Sequence, residues 1–256
     1  MSKLKKKMVY GKLSKEHQEL IGKIEGAFAD EKKVTDVKKT GFSASGLFYS
    51  SGMCPRKWQL LFDGVQSEDE WPHKNLRAVN SGSSSHEYLQ EKLKEAIPEL
   101  EIEKEFWRED PKMHGFVDAY HPGLNIPIEI KTTRSEAYKH REENMNATGY
   151  HENQLLVYCK QFKSELGLFI YEDRNSFDFV VVPLVVDNAM KHRINAIFDW
   201  MREIERVHAE GDRIKVFASR RANSKICSDC PIKAACDAAP EGTVDLPLLN
   251  KLGLEK

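Results

Sequence analysis

Three residues in this chain have the types and spacing that divalent-metal chemistry requires: Asp118, Glu129 and Lys131, within the stretch GFVDAYHPGLNIPIEIK. The stretch reads as two strands joined by a loop that contains Pro122, Gly123 and Asn125. Side chains alternate along a strand, so Glu129 and Lys131 leave one face while Ile128 and Ile130 leave the other. A hairpin-like return then brings Asp118 against the Glu129–Lys131 face. Two carboxylates beside a lysine provide oxygen ligands for magnesium or manganese and an ammonium that can orient or deprotonate a nucleophilic water. The chemistry they point to is metal-dependent phosphodiester hydrolysis.

An acid-x-Lys triplet alone is weak evidence, because it also occurs at Asp30–Lys32, Glu31–Lys33, Asp36–Lys38 and Asp110–Lys112. Those copies lack apolar strand flanks and an upstream strand aspartate. In isolation such a triplet is an ordinary solvated ion pair. The remaining signals must decide.

His86 lies early in an amphipathic helix and, as a neutral imidazole, could add a nitrogen ligand; a helical histidine is otherwise a surface or capping residue. Gln154 and Tyr158, four apart, share a helix face at which an amide and a phenol could contact a phosphate or base. Cys227, Cys230 and Cys236 place three thiols in one short segment, and Cys54 can join them only if the two ends of the chain meet. Four thiolates suit a structural zinc or a four-iron cluster, and spacing does not choose between them. Cys159, on a packed helix, reads as an inert buried thiol.

These groups need a scaffold, and 256 residues suffice for one large or two modest domains. The composition, 40% hydrophobic and 31% charged, is that of a globular protein. A net charge of −1 confines any nucleic-acid surface to a local patch. No apolar run is long enough to span a bilayer, and MSKLKKKMVY lacks the apolar core of a secretory signal, so a cytoplasmic protein with no membrane partner is expected.

Along the chain, Ser14 caps a helix carrying Leu20, Ile21, Ile24 and Phe28 on one packing face. Residues 30–40 read as a charged connector. Short helices are expected after Ser43 or Ser45 and after Cys54–Pro55. Residues 66–80 read as an exposed loop, followed by a polar capping segment and a helix over 86–97 with Leu89, Leu93 and Ile97 inward. Strands follow at 100–107, 115–120 and 126–132, then a polar helical segment at 135–146 and the helix of Gln154 and Tyr158. Two further strands are expected at 166–171 and 177–184. Asp187 caps a last long helix to about Ala209, buried through Met190, Ile194, Ile197, Phe198, Met201 and Ile204. This order predicts an α/β fold with a mixed central sheet flanked by helices. The segmentation is 1–40 basic and helical, 41–80 with the first cysteine, 81–210 the core, and 211–256 the cysteine-bearing tail.

Taken together, these segments resemble the RecB-like branch of the PD-(D/E)xK nucleases. Within it they are similar to the iron–sulfur members: CRISPR-associated adaptation nucleases, AddB-type recombination nucleases and related phage exonucleases. FSASGLFYSSGMCPRKWQLLF resembles the first-cysteine segment, Gly82-x3-His86 the histidine helix, GFVDAY the aspartate strand and IPIEIKTT the Glu-x-Lys strand. Gln154-x3-Tyr158 and the terminal cysteine triplet complete the order over residues 42–238.

The resemblance implies a restriction-endonuclease-like core. It implies magnesium or manganese on His86, Asp118, Glu129 and the Ile130 carbonyl, and catalysis by Asp118, Glu129 and Lys131. It further implies DNA positioned by Gln154 and Tyr158, and a structural 4Fe-4S cluster on Cys54, Cys227, Cys230 and Cys236. The activity implied is exonucleolytic, on single-stranded DNA or DNA ends, with protein partners in a DNA-processing complex; oligomeric state is not implied. The rival readings are a nucleic-acid-binding accessory protein with structural metal sites and a zinc-stabilised DNA-binding module. No phosphate-binding loop of the G-x-x-x-x-G-K-S/T type is present, so the chain carries no ATP-driven unwinding of its own.

Overall fold

The structure, a computed structural model, describes residues 13–26, 31–35, 39–48, 54–71, 73–210, 218, 227–228 and 230–246. Its centre is a five-stranded sheet in spatial order β3-β4-β5-β6-β7, formed by Glu101–Glu109, Lys112–His121, Ile126–Thr133, Leu166–Asp173 and Phe179–Val185. The β3–β4, β4–β5 and β6–β7 pairs are antiparallel, and β5–β6 is parallel. That parallel pair needs a crossover, provided by α5 (Ser135–Asn144) and α6 (Gly149–Phe162). The mixed sheet flanked by helices is the architecture expected from the order of segments.

Even-numbered positions of β5 and β6 face α4 (His73–Ala96). Ile128, Ile130 and Ile170 form a small core there with Leu100 and Ala119, covered by Leu89, Leu93 and Ile97. Odd-numbered positions face the larger core, shared by α6, α2 (Ala44–Phe48), α3 (Pro55–Phe62) and the long α7 (Asn188–Glu210). Helices cover both faces of the central strands, so β5 and β6 contain near-continuous buried runs in place of alternation.

The long helix starts as expected, with Met190 N–H donating to Asp187 Oδ1 at 2.7 Å. It buries Ile194, Ile197, Phe198, Met201 and Ile204, and also Trp200 and Val207. Each such side chain contributes about 1.5–3 kcal/mol on removal from water.

Just before α2, Phe42 makes an isolated parallel bridge to Met113 on β4. Phe42 N–H donates to the Lys112 carbonyl at 2.8 Å, and His114 N–H returns to the Phe42 carbonyl at 3.0 Å. Gly41 permits this approach, because a Cβ there would lie 2.7 Å from the Lys112 carbonyl oxygen.

Three expectations require correction. Residues 30–40 are not a plain connector, and 66–80 are not a loop: β1 (Glu31–Thr35) pairs antiparallel with β2 (Ser67–Trp71), and α4 already begins at His73. Both strands are polar and charge-rich, so no alternation marks them, and α4 runs through a Gly–Ser segment of poor intrinsic propensity because it docks on the sheet. The first helix, α1 (Lys15–Gly26), does receive its Ser14 cap, but Leu20 and Ile24 are exposed, so the anticipated packing face is not buried. Phe28 lies outside the described residues. No helix among the described residues is long and apolar enough to cross a membrane.

Candidate active site at the split between β4 and β5

Strands β4 and β5 pair only from Ala119–Ile128 to His121–Ile126; beyond that they separate. At the split the Asp118 side chain takes the place of a ladder carbonyl, and its Oδ2 accepts the Ile130 N–H at 2.6 Å. The aspartate is fixed by the backbone that carries Glu129 and Lys131. The hairpin-like return expected from the sequence has therefore brought the three residues together.

Glu129 points into the larger core and is 2% exposed. Its Oε1 accepts from Lys131 Nζ and, at 2.6 Å, from Gln154 Nε2; the Gln154 amide also donates to the Tyr158 hydroxyl at 3.2 Å. Its second oxygen, Oε2, is buried without any hydrogen-bond partner. Burial, followed by the neighbouring Asp118 charge, pushes the Glu129 carboxyl up to about 8, against the pull of Lys131. Burial lowers the Lys131 ammonium, but the Glu129 and Asp118 carboxylates outweigh it and raise it overall. One ammonium among two carboxylates in a buried place leaves the site short of positive charge.

His86 approaches from α4, on the opposite face of the sheet, with Nδ1 3.9 Å from Asp118 Oδ2. Burial lowers its pKa, with Asp118 opposing and Lys131 assisting, so the imidazole is biased to the neutral form that ligates metals. Among the described residues, no group of three or more His, Cys, Asp or Glu side chains is arranged to hold a metal ion. The physical reason lies in the bonds above: Asp118 Oδ2 is bonded to the Ile130 amide, and one oxygen of Glu129 to Lys131 and Gln154. The donor set nevertheless suits a hard cation, since the orphaned Glu129 Oε2 is a buried acceptor lacking the positive partner such a group requires.

Gln154 and Tyr158 are both buried behind Glu129, away from the edge at which a phosphate or base was expected. Burial, then the Glu129 charge, pushes the Tyr158 hydroxyl well up. Three further polar groups at the site were not found from the sequence. Glu103 adopts φ 48° on β3 and accepts from Gln90 Nε2 at 2.6 Å, while the same Gln90 amide donates to the Asp118 carbonyl at 2.9 Å. Glu172 on β6 accepts from the Ser85 hydroxyl, one residue before His86. Gln90 follows His86 by one helical turn, which is the signal that could have found it; Glu103 sits where the strand bends and has no periodic mark.

The segment that starts at Cys54 and the segment that carries Cys230 and Cys236 do meet. Cys54 is the N-cap residue of α3, and α3 packs against α8 (Lys233–Ala238), which carries Cys236. Leu60 and Ile232 form a small core there, with Cys230 and Cys236 against it. Arg56, almost fully buried, donates to Cys236 Sγ at 3.2 Å and to the carbonyls of Ala218, Cys236, Ala239 and Pro240. Burial raises the Cys54 thiol, with Cys230 and Cys236 adding to the rise. Cys227 lies beside Cys230, whose N–H reaches the Cys227 carbonyl at 3.3 Å. Cys159 is buried on α6 and pushed up to about 12 by burial, which makes it the inert thiol expected.

No protein-family model and no curated protein matches the sequence. Among solved structures, the chain is similar to an alkaline exonuclease, LHK-Exo, from Laribacter hongkongensis, at 10% identity and a TM-score of 0.52 over 66% of this chain and 90% of that one. It is also similar to a protein named SSO0001, at 19% identity and a TM-score of 0.47 over 86% of this chain and 95% of that one. A phage-related exonuclease from Haemophilus somnus 129PT aligns at 13% identity and a TM-score of 0.33 over 48% of this chain and 70% of that one. The alkaline exonuclease has the same fold as this chain.

Proposed function

We propose that the chain is a magnesium- or manganese-dependent DNA nuclease, acting from ends on single strands. The observation that carries the reading is the buried, unpartnered Oε2 of Glu129, set beside Asp118 and Lys131 where β4 and β5 part. A fold shared with an alkaline exonuclease supports it.

In this reading His86, Asp118 and Glu129 hold the cation, and the Ile130 carbonyl is available as a further ligand. The cation would neutralise charge on the phosphate and make a ligated water more acidic. Lys131 would orient the attacking water and balance the negative charge that develops at phosphorus. Gln154 keeps Glu129 in one orientation, with Tyr158 behind it, so that the carboxylate need not reorganise when the cation arrives. Gln90 does the same for the Asp118 backbone.

The four cysteines are proposed as a structural metal centre, a 4Fe-4S cluster on the resemblance of the sequence, that fastens residues 54–62 to the terminal segment. Support comes from the convergence of Cys54, Cys230 and Cys236 and from the Arg56 bonds that converge on the same segment. Iron and labile sulfide of about four each per chain after anaerobic purification are expected, and colourless protein containing zinc would replace the cluster by a zinc site. Cleavage is tested with a labelled oligonucleotide in magnesium, manganese or EDTA. Wild-type protein should degrade it in either metal only, and Lys131→Ala should not; equal degradation by that variant would sink the assignment.

A further inference from the structure

A cleft of about 940 Å³ opens between α4 and the turn joining β6 to β7. Its floor is Thr132, next to Lys131, and Glu172, whose charge acts on His86, so its inner end adjoins the candidate active site. One wall is the Gly82–Ser85 segment of α4. Small residues there keep the helix close to β5, and a Cβ on Gly82 would press on Thr132 Oγ1 at 3.3 Å.

The rim combines cations with uncovered aromatic rings. Arg77, Lys92 and Arg174 line the cleft with one carboxylate, Glu172, which the Ser85 hydroxyl engages, and Lys92 also pairs with Glu95, outside the lining, at 2.6 Å. Tyr88, Phe177 and Phe179 are 58%, 71% and 62% exposed. Phe177 is held at φ 62°, a conformation unfavourable for a bulky residue. The turn enforces it: Phe177 N–H donates to the Asp173 carbonyl at 2.8 Å, Asn175 N–H to Asp173 Oδ1 at 3.0 Å, and Ser135 Oγ to the same oxygen at 3.0 Å. A rigid turn that presents a phenylalanine to solvent against its backbone preference indicates a use for the ring.

We infer that this cleft is the track for a single-stranded DNA end, with Phe177 and Phe179 stacking on bases and Arg77, Lys92 and Arg174 meeting phosphates. Unstacked bases expose the faces such rings bind, whereas a duplex hides them, so the aromatic rim selects single strands. The three cations match the backbone that joins those bases. That the strand is DNA rests on the nuclease reading; the stacking platform stands on its own geometry.

The test is fluorescence anisotropy of labelled dT20 and of a 20-base-pair duplex with the full chain in EDTA, where binding is read without cleavage. Phe177→Asn combined with Phe179→Ala removes both rings, and asparagine accepts the positive φ. Wild type should bind dT20 more tightly than duplex. The double variant should lose about tenfold in affinity per ring, with its melting temperature unchanged. Arg174→Ala should reduce the salt slope by about 0.7. Should the double variant melt lower, Phe177→Trp decides: retained affinity supports the platform and lost affinity overturns it. Unchanged dT20 affinity in the double variant, or equal binding of strand and duplex by wild type, also overturns it. Ring-dependent binding by a protein that cleaves nothing would support the cleft and remove the nuclease reading; cleavage with ring-independent binding would do the reverse.

Discussion

Replacing Glu129 by glutamine separates the electrostatic cost of its buried charge from its packing. The carboxyl group, 2% exposed, is raised from 4.5 to about 8. At ~1.4 kcal/mol per unit, its ionised form destabilises the metal-free fold by at most about 5 kcal/mol, a ceiling because Lys131 shares the ionisation. The sign follows from the direction: a folded value above the unfolded one leaves stability intact below pH 4.5 and removes it as pH rises to about 8. In Glu129→Gln the amide oxygen can still accept from Lys131 and Gln154, but its NH2 replaces the unpartnered Oε2 and costs about 1–3 kcal/mol. In EDTA at pH 9 the variant should therefore be more stable than wild type by about 2–4 kcal/mol, and at pH 4.5 equal or less stable. Urea melts at the two pH values measure the difference. Manganese at about a hundredfold over its dissociation constant should add ~2.7 kcal/mol to wild type and almost nothing to the variant. A variant destabilised equally at both pH values, or stabilised by manganese as much as wild type, would refute the account of Glu129.

His86→Ala should weaken manganese binding by at least about tenfold while the fold persists, and an identical calorimetric titration would make His86 a bystander. Arg56→Ala should cost about 3–5 kcal/mol and expose the terminal segment to protease, because five polar contacts from one buried guanidinium are lost; unchanged melting and digestion would contradict this. His151 is buried against the Tyr171 hydroxyl, and its pKa is lowered to about 3 by burial and then by Lys131 and Arg141. Its folded value lies below the unfolded one, so its contribution is intact above pH 6.5 and is lost as pH falls, by about 2 kcal/mol at pH 5. His151→Gln should flatten that limb of the stability curve, and a wild-type-like slope in the variant would rule His151 out.

How much of this was legible in the sequence differs by element. The β5 stretch IPIEIKTT announced itself because its apolar residues alternate with Glu129 and Lys131, and α7 because its apolar stripe repeats at helical spacing behind a capping Asp187. That Asp118 reaches the same place depended on a hairpin, which the loop residues Pro122, Gly123 and Asn125 signalled. The splaying of β4 from β5 did not show, since it goes with a bridge from Phe42 to Met113 on β4, some 70 residues apart in sequence, which no local pattern marks. β1 and β2 were invisible because charged strands lack a hydrophobic period. Gln154 and Tyr158 had the right spacing for one face, but which way that face turned was set by docking of α6 on β5. Glu103 and the aromatic turn at Phe177 depend on positive φ values, which side-chain periodicity does not encode.

The most direct measurement is cleavage of a single-stranded oligonucleotide, labelled at one end or the other, by anaerobically purified wild type and Asp118→Ala with manganese or magnesium. Asp118 anchors the Ile130 amide and faces His86, so its loss removes a proposed ligand at the point where both faces of the sheet meet. Progressive shortening from one end by wild type, and none by the variant, is the predicted result. Full-length oligonucleotide from both proteins with the fold intact, or equal shortening by both, would contradict the claim that this site cleaves DNA.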